Sequence, residues 1–251
     1  GLAHIGVLQS LNDNQIYPNV IAGTSMGSII GAMYAAGYTP TQMLQLIKDG
    51  KLYKLSNLMS FQPAFWKTGL SDQHIIINLL NELIPNNSFD KLEKNLFVCV
   101  SNLSTGNWEI INKGNDLAEW VSASSSIPGI FNAMKINNMV YVDGGLLNNL
   151  PAQPLRDVCD VIIGSNVICL EEAKKQLKPR DTLLRSVRVL QHQNSAPGKE
   201  LCDFLIEPAA ISKYNEFSFD AYQSIYQYGY RTTSQFISNN PDIVKLKKNS
   251  K

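Results

Sequence analysis

The sequence predicts an α/β fold, a sandwich in which helices cover a mostly parallel central sheet. Apolar strand-like runs alternate with helical patterns through most of the chain, which is typical of this class. Residues 20–37 indicate a strand, a sharp Gly-x-Ser-x-Gly turn and a small-residue helix that stops at Gly37. A chain of 251 residues can bury one sizeable core, so we expect a single domain over residues 1–251.

Composition and charge narrow the functional classes. The formal net charge is +1 and 17% of residues are charged, so the sequence offers no broad basic face for nucleic acid. The four cysteines show no Cys-x-x-Cys spacing, and we interpret them as reduced, structural thiols. No apolar run reaches the roughly 18 residues of a membrane span. We expect the basic residues from Lys245 to Lys251 to form a solvated terminus.

The first elements frame the strand-turn-helix unit. Apolar residues recur at helical spacing over residues 1–11, which predicts a helix. The sequence starts with Gly1, inside that helix, so we expect an N-terminal piece with the first strand of the fold to be missing from this chain. After the unit, Thr39 and Pro40 predict a capped helix start, and the helix runs to about Asp49.

Residues 58–70 follow neither a helical nor a strand period. The segment carries three large aromatic side chains, Phe61, Phe65 and Trp66. Aromatic residues in a long connection usually pack on the core, and the alternative is an interfacial loop that contacts lipid. Ser71 then predicts the start of an amphipathic helix that Pro85 stops.

The middle of the chain predicts a hairpin, a helix and another strand. Residues 96–100 and 108–111 indicate two strands joined by a turn at Ser104-Thr105-Gly106-Asn107. Residues 116–124 favour a helix, and residues 139–142 favour a strand that ends at Asp143.

The last part continues the alternation. An apolar strand is predicted over residues 158–167, and the charged connection that follows, 171–180, is interpreted as a surface segment. A helix over 183–191, a strand over 204–206 and a closing helix over 219–237 complete the pattern.

Ser25 is the candidate nucleophile. A serine between a strand end and a helix start is held on a strained corner, with the next backbone N–H directed towards its oxygen. Gly23 and Gly27 lack the Cβ atoms that would clash where strand and helix crowd together. The short motif alone is weak evidence, but its strand and helix context is what the nucleophile elbow requires.

The serine needs a base to take its proton, and two candidates stand out. Asp143 ends an apolar strand and is followed by Gly144 and Gly145, which let backbone and substrate come close. A free aspartate is a poor base at neutral pH, but desolvation raises its pKa. Of the three histidines, only His192 is placed for the Ser, acid, His order of an α/β-hydrolase, and its polar neighbourhood favours a solvated helix end.

Four segments together resemble the patatin-like phospholipase family. They are the opening Gly1–Leu8, the elbow Gly23–Gly27, the block Ala123–Phe131 and the triplet Asp143–Gly145. Their order and spacing match the family from residue 1 to about Asn166. The sequence departs from the family at Asn132-Ala133, where prolines are common.

The resemblance implies a three-layer α/β/α sandwich of patatin type and a lipid acyl hydrolase with a Ser-Asp dyad. The dyad maps onto Ser25 as nucleophile and Asp143 as general base, and no metal or organic cofactor is implied. In that family a glycine-rich loop before the first helix supplies oxyanion-hole N–H groups. Gly1 matches only the last glycine of that loop, and the Met26 N–H would be a further donor.

The substrates implied are phospholipid, lysophospholipid or another fatty-acyl ester. We expect a cytoplasmic or peripheral-membrane protein, with any membrane contact made by the aromatic segment 58–70. Two other functions stay open at this point. One is a non-catalytic lipid-binding or regulatory module of the same fold, and the other is a Ser-His-Asp esterase or thioesterase.

Overall fold

The structure is a computed structural model that describes residues 1–50, 73–170, 172, 176–208, 214 and 219–248. The helices are α1 (Leu2–Asp13), α2 (Met26–Ala35), α3 (Pro40–Lys48), α4 (Gln73–Leu83), α5 (Leu117–Ser124), α6 (Pro179–Asn194), α7 (Ala196–Glu200), α8 (Tyr222–Asn239) and α9 (Pro241–Val244). The strands are β1 (Val20–Thr24), β2 (Asn95–Asn102), β3 (Asn107–Ile111), β4 (Met134–Ile136), β5 (Met139–Asp143), β6 (Ile163–Ser165) and β7 (Phe204–Ile206). Helices flank a central sheet, so the α/β class predicted from the sequence is confirmed.

In the central sheet β1, β3 and β5 all pair with β2, and β4 pairs with β5. Strands β1 and β2 are parallel, as are β6 and β7 in a separate pair. The β2–β3, β2–β5 and β4–β5 pairs are antiparallel, so the described strands form a more mixed sheet than the sequence predicts. Two of these pairs, β2–β3 and β4–β5, are hairpins, and strands joined by a short turn must run antiparallel. The third pair, β2–β5, joins strands that are distant in the sequence, so no local signal indicates its direction.

Strands β1 and β5 meet end to end on one edge of β2. Val98 and Cys99 pair with both β1 and β3, so β3 occupies the opposite edge from β1. Residues 100–102 pair with both β3 and β5, which places β5 on the β1 edge. β1 ends opposite Cys99 and β5, running the other way, ends opposite Val100. The residues that follow these two strand ends therefore come together.

Most predicted elements are present, with some differences in extent. Thr39 forms the expected cap of α3, accepting a 3.2 Å hydrogen bond from the Gln42 N–H. The β4–β5 hairpin was not predicted; its turn places Asn137 and Asn138 at φ 49° and 64°, as a type I′ turn requires. The apolar run 158–167 forms a strand only over β6, where three residues pair with β7.

Some predictions concern residues outside the described ranges. These are the aromatic segment with Phe61, Phe65 and Trp66, the helix start at Ser71, part of the connection 171–180, and the last residues of the basic tail. The first strand expected before residue 1 also stays a prediction.

The described core has two apolar clusters. The larger joins α1, α2, α3, α4 and α5 to β1 and β2, and the smaller joins further residues of α1 to β7, α8 and α9. Cys99, Cys159 and Cys202 carry free thiols, as the sequence predicts. None of the described helices combines the length and apolarity needed to span a membrane.

A cavity of about 440 Å³ lies between β1 and β6, with side chains of α1 in its wall. Among the described strands, β1 pairs only with β2 and β6 only with β7, so each has one edge without a strand partner. The cavity therefore borders on polar backbone groups as well as on apolar side chains.

Two glycines allow α1 and α8 to pack at close range. A Cβ atom on Gly229 would overlap the carbonyl oxygen of Ala3, and one on Gly6 would overlap that of Tyr226. The contact joins the first helix of the chain to the long closing helix.

We expect Gly229→Ala to lower the free energy of unfolding by about 1–3 kcal/mol, because the new methyl group forces the two backbones apart. This runs against the general preference for alanine over glycine within helices. Urea denaturation measures the change, with the exposed Ser238→Ala on α8 as a control that shifts it by less than about 0.5 kcal/mol. A Gly229→Ala protein as stable as the wild type would contradict the close contact.

Candidate active site

Ser25 lies on a strained corner between β1 and α2. Its backbone has φ 54° and ψ −129°, a conformation that non-glycine residues adopt at a cost of about 1–3 kcal/mol. Two serines hold the corner: Ser124 Oγ accepts a 3.0 Å bond from the Ser25 N–H, and Ser28 Oγ donates a 2.6 Å bond to the Ser25 carbonyl. The predicted strand-turn-helix unit is thus present, with Ser25 half-buried at its tip.

Asp143 faces Ser25 across the junction of the two strand ends. Ser25 Oγ donates a 2.6 Å hydrogen bond to Asp143 Oδ2, and the Gly145 N–H donates a 2.7 Å bond to Asp143 Oδ1. The Asp143 N–H in turn donates to the Ser126 carbonyl at 2.9 Å. Asp143 is fully buried, so both carboxylate oxygens rely on these protein donors.

Burial gives this carboxylate an unusual affinity for protons. Desolvation raises the pKa of Asp143 to about 6, although the hydrogen bonds from Ser25 and Gly145 act in the opposite direction. A carboxylate with this pKa is still largely ionised at neutral pH. It is also a stronger base than a solvated aspartate, which is what activation of a serine requires.

The four predicted glycines have different roles. A Cβ on Gly23 would lie 2.5 Å from the Gly27 carbonyl oxygen, so the predicted strand-helix clash is present there. At Gly27 the prediction is wrong, because a Cβ would meet only His4 Nε2 at 4.0 Å, an ordinary contact. At Gly144 a Cβ would overlap the Cys99 carbonyl, and at Gly145 it would lie 2.7 Å from side-chain atoms of Asn149 and Gln191. At Gly144 and Gly145 the missing Cβ therefore makes room for other groups of the protein.

Gly1 and Met26 are adjacent, as an oxyanion-binding role for both would need. Gly1 caps the start of α1, and a Cβ there would overlap the Met26 side chain. Met26 is the first residue of α2, a position whose N–H has no acceptor within its own helix. The positive end of the helix dipole also lies at this position.

The histidines are placed elsewhere. His4 Nδ1 lies 2.9 Å from Ser165 Oγ, and desolvation lowers the pKa of His4 to about 3. His192 lies on α6, and its buried Nδ1 has no hydrogen-bond partner among the residues that the structure describes. His74 is exposed on α4. Ser25 Oγ donates to Asp143, and no bond joins it to a histidine within the described ranges.

The sequence analysis assigns no role to three residues that hold Ser25 and Asp143 in place. Ser124 Oγ donates a 2.7 Å bond to the Cys99 carbonyl while accepting from Ser25, and Ser126 binds Asp143 through its carbonyl. Asn194, at the end of α6, donates to the carbonyls of Gly145 and Leu146, both at 2.9 Å. The Ala123–Phe131 block signalled the serines, whereas nothing in the sequence signalled Asn194. Across the described residues, no three His, Cys, Asp or Glu side chains are grouped to hold a metal ion.

Comparison with known proteins gives a family match. The sequence model of the patatin-like phospholipase family matches residues 1–156, which include Ser25 and Asp143. The elements after residue 156, among them α6 and α8, lie outside that match.

The curated relatives are similar to this chain at low sequence identity, and they are much longer than it. Lysophospholipase NTE1 of Phaeosphaeria nodorum is 22% identical over 95% of this chain and 18% of its own length. Lysophospholipase NTE1 of Coccidioides immitis is 23% identical over 94% of this chain and 17% of its own length. An uncharacterized NTE family protein of Mycobacterium tuberculosis is 29% identical over 68% of this chain and 28% of its own length. The chain thus spans less than a fifth of the two lysophospholipases.

We expect Ser124→Ala to slow the reaction of Ser25 with a fluorophosphonate about 10- to 100-fold, because the Ser25 N–H loses the acceptor that fixes the corner. Labelling rates followed by mass spectrometry measure the effect. Ser125→Ala is the matched control: it removes a hydroxyl that is also buried but that, among the described residues, bonds to the Val121 carbonyl of α5 and not to Ser25. Equal rates in the two variants would contradict a specific role for Ser124.

We expect the burial of Asp143 to make stability depend on pH. Its pKa is raised to about 6 in the folded state, so the folded protein binds the proton more tightly and the free energy of unfolding falls as pH rises from about 4 to about 6. Asp143→Asn removes this cost. The variant should be more stable than wild type by about 3 kcal/mol at pH 8, with the difference vanishing near pH 4. Urea denaturation at both pH values tests it, and a variant no more stable at pH 8 would refute it.

Proposed function

The chain belongs to the patatin-like phospholipase family, and from that premise we propose that the protein is a serine lipid acyl hydrolase. It cleaves fatty-acyl esters of phospholipids or lysophospholipids through an acyl-enzyme. The observation that carries the proposal is the 2.6 Å hydrogen bond from Ser25 Oγ to the buried carboxylate of Asp143, within the matched segment.

In the first step Ser25 Oγ attacks the carbonyl carbon of the ester. Its proton passes to Asp143 Oδ2 along the existing hydrogen bond, and a tetrahedral oxyanion forms. When this intermediate collapses, the alcohol leaves with the proton from Asp143 and the acyl group stays on Ser25. The raised pKa of Asp143 suits a group that must first accept and then return a proton.

The second step uses the same carboxylate. A water molecule gives its proton to Asp143, and the hydroxide attacks the acyl ester of Ser25. Collapse of the second tetrahedral intermediate returns the proton to Ser25 Oγ and releases the fatty acid. Asp143 thus acts as base and acid in each half of the cycle.

The oxyanion develops beside the start of α2. The Met26 N–H follows the nucleophile directly, which is the usual place for one oxyanion donor at such an elbow. The α2 dipole adds positive potential at this point. Gly1 packs on Met26, so the start of α1 lies beside the same position, and we assign Gly1 to the oxyanion site as well.

The substrate class follows from the family and from the relatives' names. Two of the relatives are named lysophospholipases, which favours a lysophospholipid as the first substrate to test. The chain matches only part of those proteins, so the head group and the acyl position are left to the assay. No metal or organic cofactor enters the proposed steps.

We expect the full-length protein to release fatty acid from lysophosphatidylcholine, and Ser25→Ala and Asp143→Asn to reduce kcat/KM by at least about 1,000-fold. For the wild type, kcat/KM should fall as pH drops below about 6, where Asp143 becomes protonated. Fluorophosphonate labelling, mapped by mass spectrometry, should modify Ser25 and fail in Asp143→Asn.

His192→Ala is the control that separates the alternatives. We expect it to retain activity, because Ser25 bonds to Asp143 rather than to a histidine. Loss of activity in His192→Ala with retention in Asp143→Asn would favour the Ser-His-Asp esterase. A wild-type protein that binds lipid vesicles but is neither labelled nor active would favour the non-catalytic lipid-binding module.

A further inference from the structure

A short turn joins Asp143 to the end of helix α6. Residues Gly144–Leu146 form one turn of 3₁₀-helix directly after β5. Asn194, the last residue of α6, donates 2.9 Å hydrogen bonds from Nδ2 to the carbonyls of Gly145 and Leu146. Its Oδ1 accepts a 2.9 Å bond from the Asn149 N–H. The Asn194 amide group therefore makes three hydrogen bonds, two as donor to this turn and one as acceptor from the chain just after it.

The contacts of Gly145 connect Asn194 to the carboxylate. The Gly145 carbonyl accepts from Asn194, and the Gly145 N–H donates a 2.7 Å bond to Asp143 Oδ1. The other carboxylate oxygen, Asp143 Oδ2, accepts the bond from Ser25 Oγ. A displacement of the turn would therefore rotate or shift the carboxylate that faces Ser25.

We propose that Asn194 is a positioning residue that holds the Gly144–Leu146 turn, and through Gly145 the carboxylate of Asp143, in line with Ser25. The inference rests on the proposed function, and it assigns a role to a helix outside the segment that matches the family. Asn194 acts on the chemistry through Asp143 and does not itself touch the reacting atoms.

A simple helix cap does not account for these contacts. At the end of α6 the next residue, Ser195, supplies that kind of bond, donating from Oγ to the Gln191 carbonyl at 2.7 Å. The Asn194 side chain instead bonds to three backbone groups of residues 145–149. Ser195 Oγ also accepts a 3.3 Å bond from the Asn149 side chain, but among the described residues it makes no bond to the Gly144–Leu146 turn. Contact with that turn therefore distinguishes Asn194 from its neighbour.

The surroundings of Asp143 make its titration a usable readout. The hydrogen bond from the Gly145 N–H lowers the pKa of Asp143 against the larger effect of burial, so a relaxed turn should raise that pKa further. The titratable group of β2 that senses the Asp143 charge is Cys99, whose pKa burial raises to about 12, so it stays neutral. On α6, the titratable neighbour of Asn194 is His192, which interacts electrostatically with Glu207.

The test uses the full-length protein and compares four variants with the wild type. Asn194→Ala removes all three bonds, and Asn194→Asp keeps the acceptor for Asn149 but turns an oxygen towards the two carbonyls. Ser195→Ala removes a buried hydroxyl one residue along, and Gln193→Ala changes an exposed residue of the same helix. For each protein, kcat and KM for lysophosphatidylcholine are measured from pH 5 to pH 9, together with the urea midpoint.

We expect both Asn194 variants to lower kcat about 10- to 100-fold with little change in KM, because a misplaced base slows the chemical step more than binding. The acid limb of their pH profile should move up by about half a unit or more, and further in Asn194→Asp, where a second carboxylate opposes ionisation of Asp143. Ser195→Ala should lose stability without moving the limb, and Gln193→Ala should match the wild type.

Two results would overturn the inference. One is an acid limb that stays in place in both Asn194 variants, and the other is a loss of kcat in Ser195→Ala equal to that in Asn194→Ala at equal loss of stability. Failure of the proposed function looks different, because the wild type itself would then lack activity and Ser25 labelling. In that case the pH dependence of unfolding, which reports the pKa of Asp143 without turnover, decides whether Asn194 controls that carboxylate.

Discussion

The hydrogen bond between Ser25 Oγ and Asp143 Oδ2 is the interaction on which the arrangement of this site depends. It joins a half-buried hydroxyl to a fully buried carboxylate, where solvent cannot replace a lost partner. Burial makes the carboxylate basic and at the same time makes its charge costly to the folded state. The property that suits Asp143 to catalysis is thus one that weakens the fold, as stability-function trade-offs at active sites generally require.

The strand pairing of the central sheet brings Ser25 and Asp143 together. β1 and β5 run towards each other along one edge of β2, and both end at the same point, opposite Cys99 and Val100. The Cys99 carbonyl is the fixed point of this junction: Ser124 donates to it, and the absence of a side chain at Gly144 lets the chain turn over it. The separation of the proposed nucleophile and base is therefore set by backbone pairing, and side-chain bonds refine it.

The sequence predicts the elements that have strong local signals. The elbow at Ser25, the capped start of α3 at Thr39 and the strand that ends at Asp143 all depend on residues close together in the chain. The contacts that position the site do not: Ser124 is 99 residues from Ser25, and Asn194 is 49 residues from Gly145. A single polar residue gives no periodic signal in the sequence. Its hydrogen-bond partner can therefore be identified only when the fold fixes the direction of its side chain. The error at Gly27 concerns packing distance instead: a Cβ there would have space, because its nearest neighbour, His4 Nε2, would lie 4.0 Å away.

The end of the family match is also not the end of the site. Both proposed dyad residues lie within residues 1–156, whereas the helix that holds the Asp143 turn begins at Pro179. This helix packs on the protein through a narrow buried stripe that contains Val187 and Gln191. It contacts the turn through the side-chain amide of its last residue. Most of its remaining sequence can change without disturbing that contact, so similarity over the helix falls sooner than its contribution to the site. Weak resemblance in this part of the chain is therefore compatible with a direct role in orienting the base.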